Sequence, residues 1–459
     1  MSNIGIEYGN RIIDLNLPFE VDNIGMVETP TLIDPQTVYT HAFLNPIGCK
    51  PLSLLAREKR KTAPNQNVVI LVSDNTRPTP YKGKDGLLFF LLNTLLNEGY
   101  RQEEISILIG NGSHREMTET EIEEMLELKK NGFSNVKVDN HRYANEEELV
   151  YIGTTKRGGI AKINKRYVEA GFKIVTGLIE SHFMAGASGG PKGICPAIVS
   201  KQTLEIFHGA LLLSSPFAAD LEITQNPVQS ESTEIALMAG CDFLVNVTLD
   251  YKKRLTGVFC GDMIKAHRKG IEFVKTYITF PVKRKYDIVI IPAGFVGINH
   301  YQTAKAAVIA SRVVKVGGSI IIIAKNTDTD PIGGVQYKKV LKTLKELGVE
   351  TFKKSILSAE WSFIQEQWQA QLWCKAFEIL QSFENLIYCS TDIPLQSYDS
   401  IPCLPGIQLV KELPTIENIV YSSIMYAYQK YRIPGFQEPS ILFLKDGPYG
   451  IPVMPQNEE

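Results

Sequence analysis

Short apolar, β-branched runs recur along the chain at residues 68–72, 105–109, 172–175, 243–247, 288–291, 319–323 and 385–389, with helix-like stretches between many of them. A run of that length and composition reads as a strand buried on both faces. Strands that alternate with helices pair in parallel and are covered by helices on both sides. The intervening segments carry helix signals of their own. In "YKGKDGLLFFLLNTLLNEG" the leucines share one face and Gly99 closes the pattern. "TETEIEEMLELKKNG" opens with Thr118 and Glu121 at capping-box spacing and closes at Gly132.

These signals predict an α/β protein of two domains with largely parallel sheets, its active site in the cleft between them. The amphipathic stretch 263–277 runs into "ITFPVKRK" before a new strand opens at Tyr286. That places the boundary near residue 283, giving domains 1–283 and 284–459. The C-terminal end, rich in Pro, Gly and aromatic residues, reads as a trailing extension or an edge hairpin. Composition narrows the setting. With 44% hydrophobic and 21% charged residues the chain is ordinary for a globular protein. A formal net charge of −2 offers no field for nucleic acid or an anionic membrane. Seven scattered cysteines without a C-x-x-C pair argue against a disulfide framework and a structural zinc site. There is neither a signal-peptide layout nor an apolar run near the roughly 20 residues that span a bilayer. The expected location is the cytoplasm.

In open parallel sheets, ligands sit beyond the carboxyl ends of the strands. After 68–72 comes "SDNTRPTP", with Asp74, Asn75, Thr76 and Arg77 in one turn. After 105–109 comes "GNGSHRE", with His114; after 172–175 comes "TGLIESHFMAGASGGPKG", with His182 and Lys192. The last segment is not a phosphate loop. Counted from Gly186, Pro191 falls where the second glycine belongs, and Gly193 follows Lys192 in place of Ser or Thr. His208 ends a short helix with Ser200 at its N-cap, a place where a histidine also serves the helix dipole. Arg77 suits a bidentate contact to a carboxylate or phosphate, or is a solvated loop arginine. Asp74, Asn75 and Thr76 suit a ribose or phosphate, or cap the following helix. In "AGFVGINHYQTAKAA", Gln302 and Lys305 are three apart on one helix face, suited to a substrate carboxylate or to plain exposure. His41, His141 and His267 read as ordinary surface or core residues.

Taken in order, "SDNTRP", "GSHRE", "TGLIESHFMAGASGGPKG", the "FHG" histidine, "YQTAKA" and "EQWQAQ" resemble the lactate racemase family, which uses a nickel-pincer nucleotide. The matching pieces span both domains. The resemblance implies that Lys192 tethers the nucleotide through a thioamide and that His208 ligates nickel. It implies that Asp74, Asn75, Thr76 and Arg77 contact the cofactor, with Arg77 also near the substrate carboxylate. It makes His114 and His182 the two acid/bases, and Gln302 and Lys305 the substrate-binding pair of the second domain. The partners it implies are a small 2-hydroxy acid and the enzymes that synthesise the cofactor.

The chemistry accounts for that inventory. Beside a carboxylate, the α-hydrogen of a 2-hydroxy acid is poorly acidic, so it leaves as hydride while a base takes the hydroxyl proton. A side chain cannot accept hydride, so a cofactor must. Nickel in a planar pincer with one imidazole has a tetragonal geometry that suits the metal. Inversion through a 2-keto acid needs a base for each hydroxyl orientation, hence two histidines. The chain departs from the family pattern at Ser181, where proline is common, at Pro191, where arginine is common, and at "AGFVGIN", which replaces a Gly-Gly-x-Pro-x-Asp segment. These changes leave the hydroxy acid open. Two other readings stand beside this one: a non-catalytic nickel-nucleotide binding protein, and a His-ligated metal hydrolase. The second lacks H-E-x-x-H or H-x-H spacing.

Overall fold

The computed structural model describes residues 1–29, 31–63 and 67–454. The chain begins with β1 (Ser2–Tyr8), β2 (Arg11–Leu17) and β3 (Asp22–Ile24). Next come β4 (Val68–Ser73), β5 (Ile105–Gly110), β6 (Lys137–Asn140), β7 (Leu149–Thr154), β8 (Ile160–Asn164) and β9 (Phe172–Leu178). A two-residue pair follows, β10 (Ser181–His182) and β11 (Gly186–Ala187), then β12 (Phe243–Leu249) and β13 (Leu255–Gly261). The remaining strands are β14 (Thr279–Pro281), β15 (Tyr286–Pro292), β16 (Val314–Ile323), β17 (Leu386–Cys389), β18 (Leu404–Pro405), β19 (Ile441–Leu444) and β20 (Ile451–Val453). Every strand expected from an apolar run is present.

Two compact units result, Glu28–Thr276 and Met1–Val27 with Tyr277–Glu459. In the unit Glu28–Thr276 the main sheet has the order β13-β12-β9-β4-β5-β6. Its pairs are parallel except for antiparallel β13 at one edge. The central strand β4, VVILVS, is buried on both faces. Its Val68, Ile70 and Val72 pack with Leu87, Leu91 and Leu95 of the helix Leu87–Asn97, while Val69 and Leu71 are buried on the opposite face. The helix Glu119–Leu126 has the expected capping box between Thr118 and Glu121. It stops at Leu126, short of Gly132, because Glu127 adopts a left-handed conformation at its end.

The second unit has an all-parallel sheet of order β18-β17-β16-β15-β19-β3. Two features differ from the sequence expectation. The first 27 residues belong here and not with the domain that follows them in sequence. The β1–β2 hairpin buries alternate residues, Ile4, Ile6, Tyr8, Ile13, Leu15 and Leu17, against Ile288, Ile290, Ile321 and the helix Ile416–Tyr431. A lone hairpin has no core of its own and is marginal in water, so its apolar face completes this one. The C-terminal end is likewise no trailing extension. β19, only four residues long, is inserted between β15 and β3, and β20 pairs with β14. The change of unit falls at Tyr277 and not at 283, because the helix Met263–Ile278 runs directly into β14.

Candidate active site at the strand ends

Within Glu28–Thr276, the loops after β4, β5 and β9 emerge at the carboxyl edge of adjacent parallel strands. Asp74 is 5% exposed. Its Oδ1 accepts from the Thr76 amide at 3.2 Å and hydroxyl at 2.5 Å, and its backbone oxygen accepts from the Arg77 N–H at 3.2 Å. This is the Asx-type turn that "SDNT" encodes. The other carboxylate oxygen lies 2.6 Å from Nδ1 of the half-exposed His114. Burial works to raise the Asp74 pKa, but the His114 hydrogen bond and charge, the Thr76 hydroxyl and the nearby Arg77 outweigh it and the net shift is downward. An ionised Asp74 accepts from Nδ1–H and so favours the tautomer in which Nε2 of His114 carries the lone pair.

His182 is held differently. Its short strand β10 pairs with β11, placing Gly186 opposite it, and its Nδ1 accepts from the Met184 and Ala185 amides, each at 3.3 Å. Its Nε2 lies 2.9 Å from Nζ of Lys192. Ser181, one of the departures from the family pattern, donates to Asp220 at 2.7 Å and so braces the hairpin.

His208 sits at the C-cap of the helix Lys201–Phe207, whose N-cap is Ser200 accepting from Thr203 at 3.2 Å. Burial first, and then the charges of Lys192 and His114, push its pKa down to about 3. The imidazole is therefore neutral at physiological pH, which is the form that ligates a metal. The Lys192 Nζ is 5.5 Å from the centre of the ring of Phe207, the residue before His208. Asp74, His114, His182, Lys192 and His208 are thus brought together. Asn75 and Thr76 are exposed on the same turn, with Arg77 partly buried. Gln302 and Lys305 lie in the other unit, on the first turns of the helix His300–Ser311, both partly buried.

The sequence reading missed the polar residues that hold these loops. His141, 1% exposed, donates from Nε2 to the Val199 carbonyl at 2.9 Å and accepts from Asn164 at 3.3 Å. Asn111 accepts from the His141 amide at 3.2 Å and donates to the Arg115 carbonyl at 3.1 Å, fixing the loop that carries His114. His267 and Asn246 brace the loop that carries Lys192. Their one visible signal was polarity where a strand or helix face is otherwise apolar, as in "FLVNVTL".

A parallel sheet whose strand ends carry imidazoles, a carboxylate and an amine has the layout of an α/β enzyme, with its polar groups where such sheets hold their ligands. The particular family follows from comparison. The lactate racemase N-terminal domain matches residues 8–219. A lactate racemase of Thermoanaerobacterium thermosaccharolyticum is 32% identical over 383 residues, covering 81% of this chain and 85% of that protein. One from Lactiplantibacillus plantarum is 33% identical over 336 residues, covering 72% and 75%. The structure of the T. thermosaccharolyticum lactate racemase apoprotein matches with a TM-score of 0.83 and 26% identity, over 99% of this chain and 100% of that one. The chain belongs to the lactate racemase family. It is an isomerase of the racemase type, and membership implies a nickel-dependent cofactor.

The residues present fit such a cofactor. His208 offers a neutral nitrogen, and Lys192 brings an amine to within 5.5 Å of the ring centre of Phe207, the residue before His208. Among the described residues no three His, Cys, Asp or Glu side chains cluster as a metal site, so the three-histidine arrangement of a hydrolase is not formed by them. Nor is any described helix long and apolar enough to cross a membrane.

Proposed function

We propose that the chain inverts C2 of a 2-hydroxy acid, lactate or a larger and more polar relative, through a 2-keto acid intermediate. When bound, a nickel-pincer nucleotide supplies the hydride acceptor that no side chain provides. Lys192 holds it through a thioamide and His208 donates the protein's nitrogen ligand. His114 and His182 each take the hydroxyl proton from one enantiomer and return it to the other. Asp74 contacts the cofactor, as the resemblance implies, and its carboxylate also keeps His114 in the tautomer with Nε2 facing substrate. Asn75, Thr76 and Arg77 line the cofactor, Arg77 also meets the substrate carboxylate, and Gln302 and Lys305 complete the substrate contacts. The protein depends on cofactor-synthesis enzymes and works in the cytoplasm, in keeping with seven free cysteines.

The observation that carries this reading is the pair of short contacts, His114 to Asp74 at 2.6 Å and His182 to Lys192 at 2.9 Å. They give each imidazole its own support, one from a carboxylate and one next to the Lys192 amine. The test is a racemisation screen of the anaerobically loaded protein over single enantiomers of 2-hydroxy acids deuterated at C2. The opposite enantiomer should appear from at least one of them. Inversion of none would overturn the proposal.

A further inference from the structure

Lys192 closes a tight turn, its amide donating to the Gly189 carbonyl at 3.1 Å. Two buried side chains from outside every motif grip that turn. Asn246 lies in the middle of β12, whose neighbours in FLVNVTL are apolar, and is 0% exposed. Its Oδ1 accepts from the Gly190 amide at 2.8 Å, and its Nδ2 donates to the carbonyls of Gly177 at 3.3 Å and Val245 at 3.2 Å. His267, on the helix Met263–Ile278 and 3% exposed, donates from Nε2 to the Ser188 carbonyl at 2.8 Å. Its ring also fills the space beside Gly190, where a Cβ would fall 2.4 Å from the ring carbon. Gly189 and Gly190, at φ of +74° and +51°, are the only residue type that takes this path without strain. A sheet strand needs no amide at its centre, and burying one is unfavourable unless it is fully hydrogen-bonded. Here the Nδ2 bonds anchor the amide to the strands through Gly177 and Val245, and its oxygen holds the turn at the Gly190 amide.

We propose that Asn246 and His267 are positioning residues for cofactor attachment, fixing the 188–192 turn so that the Lys192 amine meets the thiocarboxyl group of the incoming nucleotide. This rests on the tether reading of Lys192. In the attachment step Lys192 Nζ forms a bond to the thiocarboxyl carbon and the carbon–oxygen bond there breaks. The oxygen leaves as water, with its own proton and one from the amine. No electrons are transferred, so the adduct weighs one water less than the sum. A misplacement of about 1 Å costs on the order of a hundredfold in such a step.

The test follows intact mass over time at several concentrations of the nickel-pincer nucleotide, separating the maximal rate of adduct formation from the half-saturating concentration. Asn246→Ala and His267→Leu should lower the maximal rate at least tenfold and leave half-saturation within about threefold. His267→Gln, which keeps an N–H for the Ser188 carbonyl, should load within about threefold of wild type. A general loss of folding would lower the final amount of adduct and not this rate. If Asn246→Ala does not fold, the His267→Leu and His267→Gln pair decides. Loading of Asn246→Ala and His267→Leu at the wild-type rate, or equal slowness of the Leu and Gln variants, overturns the inference. Lys192→Ala distinguishes the two levels. Adduct still forming on it would overturn the tether reading, and the positioning proposal with it. Its absence there, with Asn246→Ala and His267→Leu unimpaired, would overturn positioning alone.

Discussion

The two units set the same problem and solve it differently. Each has a six-stranded sheet with parallel strands at its centre, and each carries a histidine in the segments just beyond the carboxyl ends of those strands. After β4, β5 and β9 the polar side chains meet one another across loops: Asp74 with His114, His182 with Lys192. After β15 the histidine is consumed by packing. His300 is 1% exposed and stacked on Trp373 at 4.6 Å. Trp373 donates to the Tyr337 hydroxyl at 2.8 Å, which leaves that hydroxyl to donate to His300 Nδ1 at 2.9 Å. The place in the sheet is the same, and the surroundings decide between chemistry and core. Fold alone therefore could not have assigned a role to either histidine.

The largest test of that contrast is to remove the histidines one at a time. His114→Ala or His182→Ala should cut racemisation by about a hundredfold to ten-thousandfold, the usual worth of a general base, with the nucleotide still attached by intact mass. Near-full racemisation in either variant would sink the two-base assignment. His300→Phe should change turnover by less than about threefold, because its ring is a packing element whose loss a similar ring absorbs.

A smaller effect belongs to the carboxylate behind His114. Asp74→Asn keeps the shape and loses the charge that favours Nδ1–H, so racemisation should fall by about tenfold to a hundredfold, less than for loss of the imidazole. The variant also has a stability signature. Asp74 titrates below its unfolded value, so its contribution is present above the unfolded carboxyl pKa of about 3.9 and is lost as pH falls through the lower, folded one. Urea unfolding between pH 3 and 7 should show wild type ahead of Asp74→Asn near neutrality and that lead shrinking at the acid end. A lead that stays constant would mean that Asp74 is not held as an ion.

How much of this was legible in the sequence follows from the range of each interaction. The long β-branched runs announced their strands because burial on both faces leaves no polar positions. β19 escaped because four apolar residues, ILFL, carry no period, and its central place depends on partners far away in sequence, β15 and β3. The N-terminal hairpin showed no sign of which core it would join. At the site, Asp74, His114, His182, Lys192 and His208 were each visible in motifs. The pairing of Asp74 with His114 was not, since 40 positions separate them. Asn246 and His267 were still less visible, because their meaning lies wholly in the carbonyl and amide they touch.

The smallest effect concerns acid stability, and it sharpens the comparison because it is common to both units. His141 and His267 in one unit are pushed down to about 4, and His300 in the other to about 3, by burial above all. All three titrate near 6.5 in the unfolded chain, so below that value the unfolded state binds more protons than the folded one. Their cost is therefore absent above about pH 6.5 and grows as pH falls toward 4 for His141 and His267 and toward 3 for His300. His300→Phe removes one such group at the expense of the Tyr337 hydrogen bond, worth about 1 kcal/mol. The variant should be slightly less stable than wild type at pH 7 and should overtake it by pH 4.5, read by denaturant unfolding of the protein without cofactor. His267→Gln should show the same crossing in the unit that holds the site. Parallel curves for wild type and His300→Phe across that range would mean that the aromatic box does not hold a neutral imidazole. The contrast drawn between a working histidine and a packed one would then need another basis.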